Sequence, residues 1–252
     1  MLQITKHAEV HELRLARPPV NALDPALIRA LTAAIDAAPA AGARALVLSG
    51  ATGMFSAGLD VPALLALDRM GIRRFWDDFF GVMRAIARSS VPVATAITGH
   101  SPAGGAVLAI FSDYRVMAEG DFRVGLNEVQ VGLPVPGVVA GAFERLVGPR
   151  HAEQLLVSGA LIGPAEALSC GLVDRVVAID RVVPVALEWA HGIAALPPEA
   201  CAATRRTVRA ELMESFHNVD ATLFEYMTDV WFGCETQAAM QALVQRLAAR
   251  KR

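Results

Sequence analysis

The sequence predicts an α/β body followed by an all-helical tail. Two observations carry this. Short apolar runs rich in Val, Ile, Leu and Ala alternate with helical periodicities to about residue 180, and helical patterns alone follow. Two of those runs also end in glycine-containing turns that open directly into a helix.

The elements follow in order. Leu2 to Ile4 and Val10 to Leu15 read as paired strands, and Arg17-Pro18-Pro19 breaks the second. Asp24-Pro25 is a helix N-cap with proline at the first helical position, and Leu27, Leu31, Ala34 and Ile35 mark one helical face. Ala45 to Leu48 is a short buried strand, followed by a loop from Ala51 to Asp60. Phe75, Phe79, Val82 and Ile86 place a helix over 71–88. A strand at 91–97, a glycine turn at 99–105 and a helix at 103–111 come next. Tyr114 to Met117 and Phe122 to Val124 are strands, the second leading into Glu128. Pro164 starts a short helix ending near Gly171, and Val173 to Val177 is the last strand. Phe216, Val219, Leu223, Tyr226 and Val230 are expected to line one face of a C-terminal helix. Strand, loop and helix recur at roughly 45–50 residues, without a sequence repeat.

The chain of 252 residues is 54% hydrophobic and 19% charged, which suits a well-buried core. A net charge of −2 gives no electrostatic reason to expect nucleic acid as a partner, although Arg205-Arg206 and Arg250-Lys251-Arg252 are locally basic. Cys170, Cys201 and Cys234 have neither metal-ligand spacing nor the count of a disulfide framework, so reduced thiols are expected. No apolar run reaches the roughly 18 residues of a membrane span. Met1 to Glu12 alternates in polarity, unlike a signal peptide, so a cytoplasmic location is expected.

The chemistry concentrates in three places. Gly99-His100-Ser101-Pro102-Ala103-Gly104-Gly105 follows a strand and opens a helix, which leaves bare N–H groups suited to a developing negative charge. It has neither the Lys-Ser/Thr of a Walker loop nor the glycine spacing of a dinucleotide fingerprint. Ser56-Ala57-Gly58-Leu59 forms a second such turn, and neighbouring strands would let one N–H from each turn converge on one oxygen. Glu128 stands among Leu126, Val129 and Val131, where burial raises a carboxyl toward values useful for proton transfer. Asp60 and Asp113 sit at turn or helix ends, where an acid usually caps or pairs. His100 neighbours the anion site. Ser56 and Ser101 have no base partner in the sequence, and no cluster suggests a metal.

Four segments together resemble the crotonase (enoyl-CoA hydratase/isomerase) superfamily: Arg17-Pro18-Pro19-Val20-Asn21-Ala22-Leu23, Phe55-Ser56-Ala57-Gly58-Leu59-Asp60, Pro102-Ala103-Gly104-Gly105 and Gly125-Leu126-Asn127-Glu128. Gly148-Pro149-Arg150-His151-Ala152, Pro164-Ala165-Glu166-Ala167-Leu168 and Gly171-Leu172-Val173-Asp174 extend the likeness. The resemblance implies a spiral of ββα turns over residues 1–185 that binds an acyl-CoA thioester. It implies a helical segment over 186–252 used in forming a homotrimer or hexamer. It implies that the Leu59 and Gly104 N–H groups hold the thioester oxygen, that Ala57, Gly58, Asp60 and Val61 line the coenzyme A side, and that Asn127 contacts the acyl part beside Glu128. No cofactor is implied beyond the coenzyme A carried by the substrate.

One departure decides the expected reaction. Hydratases of this family carry a further glutamate three residues past the second donor, and Val107 stands there. The turn and the Gly-Leu-Asn-Glu segment are most similar to monofunctional Δ3,Δ2-enoyl-CoA isomerases, in which one glutamate moves a proton from C2 to C4. Hydration, thioester hydrolysis and decarboxylation are the alternatives, and non-catalytic acyl-CoA binding is a further one. Leu64, Leu65, Trp76, Phe79 and the C-terminal helices of this or a neighbouring subunit are expected as pocket walls.

Overall fold

The computed structural model describes residues 1–249. The elements are β1 (Leu2–His7), β2 (Val10–Leu15), α1 (Pro25–Ala37), β3 (Ala45–Ser49), β4 (Gly53–Met54), α2 (Val61–Leu65), α3 (Arg69–Arg88), β5 (Val93–Ile97), β6 (Gly99–Pro102), α4 (Gly104–Ile110), β7 (Tyr114–Ala118), β8 (Val124–Gly125), α5 (Gly137–Ser158), α6 (Pro164–Ser169), β9 (Arg175–Val177), α7 (Val182–Ala194), α8 (Pro198–Val208), α9 (Ala210–Glu214), α10 (Ala221–Trp231) and α11 (Cys234–Ala249). A 3-10 turn over Glu128–Val131 lies between β8 and α5.

Two sheets run through the spiral. The six-stranded sheet has the order β1-β2-β3-β5-β7-β9, and the three-stranded sheet has the order β4-β6-β8. The β1–β2 pair is antiparallel and the other pairs are parallel. The turns begun by β3, β5 and β7 each add one strand to the large sheet and then one to the small sheet before a helix follows. Strands β3, β5, β7 and β9 of the large sheet begin at residues 45, 93, 114 and 175, so the turns are unequal and no even period of 45–50 residues exists.

The large sheet is covered on both faces, as parallel sheets require. Leu46, Leu48, Val93, Ile97 and Met117 point into the main core with α1, α3 and α4. Ala45, Val47, Ala94, Ala96, Val116 and Ala118 point the other way, onto Val182, Val185, Ala186 and Ala190 of α7. The small side chains on that face let α7 lie close to the strands, and the division expected at residue 185 falls inside this helix.

Helix starts follow side-chain chemistry. The Asp24 carboxylate accepts from the Leu27 N–H at 2.7 Å, and Asp68 accepts from the Gly71 N–H at 2.7 Å. Asp220 caps α10 in the same way, and this cap corrects the expected C-terminal face. Phe216 and Val219 precede the helix, and its buried face is Phe224, Met227, Thr228 and Trp231, with Tyr226 exposed. Arg205, one of the locally basic pair Arg205-Arg206, is buried against Asp113. Arg250, Lys251 and Arg252 lie outside the described residues. No described helix is long and apolar enough to cross a membrane.

Candidate active site

The strands of the small sheet run parallel, so the turns that follow them lie along one edge. Gly53 pairs with Gly99 and Met54 with His100, while Ser101 pairs with Val124 and Pro102 with Gly125. Gly99–Pro102, expected as a turn, is thus the central strand of this sheet. A Cβ on Gly99 would sit 2.0 Å from the Gly53 carbonyl carbon, so glycine is what permits the pairing.

The turns after β4 and β6 touch. The Ala103 N–H donates to the Gly125 carbonyl at 2.8 Å, and Ala103 then turns the chain at φ 48° into α4. A Cβ on Gly58 would lie 3.1 Å from the Ala103 Cβ and 3.2 Å from the Gly104 nitrogen. Gly104 opens α4, so its N–H has no intrahelical acceptor. Among the described residues the Leu59 N–H has no backbone acceptor either. Two backbone donors without backbone acceptors therefore sit on adjoining turns.

A segment over residues 17–24 holds the first of these turns. The Leu23 N–H donates to the Gly58 carbonyl at 2.8 Å, and the Asp60 N–H donates to the Leu23 carbonyl at 3.0 Å. The Ala57 N–H donates to Val20 at 2.9 Å. Buried Asn21 donates through Nδ2 to the Phe55 carbonyl at 3.0 Å, and its own carbonyl accepts from the Ser56 hydroxyl at 2.8 Å. Arg17 joins Asp60 at 2.6 Å and Asp24 at 3.0 Å. Asp60 also accepts from the Ala63 N–H at 3.1 Å and so caps α2. Val61, the first residue of α2, is buried, whereas Ala57 and Leu59 are partly exposed.

The third turn carries Glu128. Its Oε2 is buried without a hydrogen-bond partner, as is the Oδ1 of Asn127. Desolvation pushes the Glu128 carboxyl up from 4.5 to about 7. The burial expected from its sequence neighbours comes only in part from them. Leu126 is buried, but Val129 is 39% exposed. Helix α11 packs on the turn instead, with the Thr236 hydroxyl donating to the Gly132 carbonyl at 2.7 Å.

Helix α4 adds no ionisable group: its sequence is Gly-Gly-Ala-Val-Leu-Ala-Ile, and Val107 is buried. Leu64, Trp76 and Phe79 are buried in the main core, and Leu65 packs against it. Trp76 meets Trp231 of α10 edge to face at 6.2 Å, and its indole N–H is buried without a partner. Helices α10 and α11 of the same chain therefore close over α3, α2 and the Glu128 turn.

Asp113, His100 and Ser56 have structural partners, and the Ser101 hydroxyl has none. Asp113 binds Arg205 and Arg209 and accepts from the Val93 N–H at 2.8 Å. His100 accepts through Nδ1 from the Arg123 N–H at 3.2 Å and packs edge-on against Phe122. Ser56 braces its own turn, and the Ser101 hydroxyl is buried and unpartnered. No group of His, Cys, Asp and Glu among the described residues is arranged to hold a metal ion. The sequence assigned no role to Arg17, Asn21 or Thr236. The available signal for the first two was an arginine and an asparagine flanking a proline pair just before a capped helix.

Comparison with known proteins agrees with this arrangement. Residues 5–245 match the family model described as enoyl-CoA hydratase/isomerase. Enoyl-CoA delta isomerase 1, mitochondrial, of Mus musculus is 35% identical over 178 residues, which span 69% of this chain and 62% of that protein. A probable enoyl-CoA hydratase of Mycobacterium tuberculosis is 34% identical over 197 residues, 77% of this chain and 74% of that protein. The crystal structure of human mitochondrial delta3-delta2-enoyl-CoA isomerase superposes with a TM-score of 0.95 at 27% identity, covering 100% of this chain and 99% of that one. The matching model, the ββα spiral and the two adjoining donor turns together make this chain a member of the enoyl-CoA hydratase/isomerase (crotonase) family.

Proposed function

We propose that this family member is a Δ3,Δ2-enoyl-CoA isomerase, shifting the double bond of a 3-enoyl-CoA to the trans-2 position. The observation that carries this reading is a lone carboxylate: Glu128 Oε2 is buried and unpartnered, and α4 presents Val107 rather than a second acid. Water addition needs groups to hold and activate water, whereas a proton shuttle needs one group that both accepts and returns a proton. A carboxyl pushed to about 7 suits both halves of that task near neutral pH.

In this reading the Leu59 and Gly104 N–H groups receive the charge that develops on the thioester oxygen as Glu128 takes a proton from C2. Glu128 then returns the proton at C4, so the bond moves without any change in oxidation state. Asn127 contacts the acyl part beside the base. Ala57, Gly58, Asp60 and Val61 line the coenzyme A side. Coenzyme A arrives with the substrate and no further cofactor is needed. Assembly into a homotrimer or hexamer through the helical segment, and a cytoplasmic location, belong to the same proposal.

The test uses purified protein with 3-enoyl and 2-enoyl thioesters. The 3-enoyl substrate is expected to isomerise, and Glu128→Gln to lower that rate by about 10²–10⁴-fold, the usual contribution of a positioned acid–base group. Rapid hydration of crotonyl-CoA that survives Glu128→Gln would overturn the reading.

A further inference from the structure

We propose that Thr236 of α11 is a positioning residue for Glu128, so that the C-terminal helix is part of the active-site machinery and not only a cover. The inference rests on the reading of Glu128 as the base, and it concerns how that base is held.

No hydrogen bond reaches Glu128 Oε2, so the carboxylate takes its place from the backbone of its turn and from packing. That turn is short and closes on itself. Its carbonyls at Glu128 and Val129 accept from the Gly132 N–H, and the Leu133 N–H donates to the Glu128 carbonyl at 3.1 Å. Two bonds tie it to the rest of the molecule. Gln130 Nε2 donates to the Gly159 carbonyl at the end of α5 at 2.8 Å, and the Thr236 hydroxyl donates to the Gly132 carbonyl at 2.7 Å.

The second tie is built closely. Gly132 is left-handed at φ +75°, and a Cβ there would lie 2.9 Å from the Thr236 Cα. Thr236 is 2% exposed, so its hydroxyl has no water as an alternative to this bond. The first turn of α11 is itself braced. The Gln237 N–H donates to the Gly233 carbonyl at 3.0 Å, and Gln237 Nε2 donates to the Trp231 carbonyl at 2.7 Å. Met240, one turn further on, is buried in the main core. A buttressed helix thus grips the glycine that ends the catalytic turn. Releasing the grip lets Glu128 drift relative to the Leu59 and Gly104 donors, which sit on other turns.

The test compares Thr236→Val, which keeps the shape and loses the hydroxyl, with Thr236→Ser, which keeps the hydroxyl. For Thr236→Val, kcat on a 3-enoyl-CoA is expected to fall about tenfold, since an ångström of misplacement can cost up to about 10²-fold. KM is expected to hold within about twofold because no substrate contact is removed. Thr236→Ser is expected to restore kcat. Crystal structures of both variants supply a readout that does not depend on the reaction: the Glu128–Val131 turn should shift in Thr236→Val and return in Thr236→Ser. An unmoved turn, an unchanged kcat in Thr236→Val, or a Thr236→Ser as impaired as Thr236→Val would overturn the inference. If the valine variant is too unstable to assay, Thr236→Ala against Thr236→Ser makes the same comparison. Failure of the wild-type chain to isomerise would sink the isomerase reading alone, leaving the structural comparison to decide the role of Thr236.

Discussion

Glu128 is partly buried as a residue while its Oε2 is fully buried, and that burial sets its acidity. Burial holds its carboxyl near 7 rather than 4.5, with consequences for both rate and stability. A base must be ionised, so kcat/KM is expected to rise with pH through an apparent value of about 7, an acid limb that Glu128→Gln removes. Stability moves oppositely. The folded state binds a proton that the unfolded chain has lost between pH 4.5 and about 7, so the contribution of Glu128 is full below that window and declines across it. Relative to Glu128→Gln, the wild-type chain is expected to lose of the order of 1–3 kcal/mol between those pH values, read from urea midpoints. The sequence marks Glu128 through its apolar neighbours, yet the partner that presses on its turn, Thr236, is more than a hundred residues away and leaves no local signature.

At the scale of elements, the site is an edge where three short parallel strands end. Gly58 and Gly104 were legible as glycines in turns that follow strands and open helices, where backbone N–H groups are left without acceptors. Strand β6 was not, because Gly-His-Ser-Pro lacks β-branched residues and its pairing depends on close approach to Gly53. The adjoining turns lead to a sharp expectation. Gly58 is left-handed at φ +85°, and an added methyl group would press on Ala103 and the Gly104 nitrogen. Gly58→Ala should therefore part the two donors and lower kcat by about 10²–10³-fold, the cost typical of losing one such donor. Steady-state kinetics on a 3-enoyl-CoA check this, and a rate within threefold of wild type would contradict it. Asn21 and Arg17 brace the same turn from a segment that carries no reacting group, so their role emerges only from their contacts.

Across the whole molecule, the helical tail is bound into the spiral by buried charge. Arg205 of α8 joins Asp113 and donates to the carbonyls of Ile86, Ala87 and Ser89, satisfying the open end of α3. Arg209 joins the same carboxylate and donates to Phe111 at the end of α4, while burial lowers its guanidinium to about 10. Replacing Arg205 with Met is expected to cost about 3–5 kcal/mol in urea unfolding, because a partly buried carboxylate loses one of its cations and three carbonyls lose their donor. Local pattern alone determined the α/β body, the helical tail and the capped start of α1, since each rests on residues close in the chain; the choice of Leu59 and Gly104 as donors and of Glu128 as the single acid rests on the family resemblance. Tertiary structure alone decided which acids are spent in ion pairs, which face of α10 is buried, and what holds the base in place. Those outcomes depend on contacts between residues distant in sequence, and no periodicity or spacing encodes such a contact.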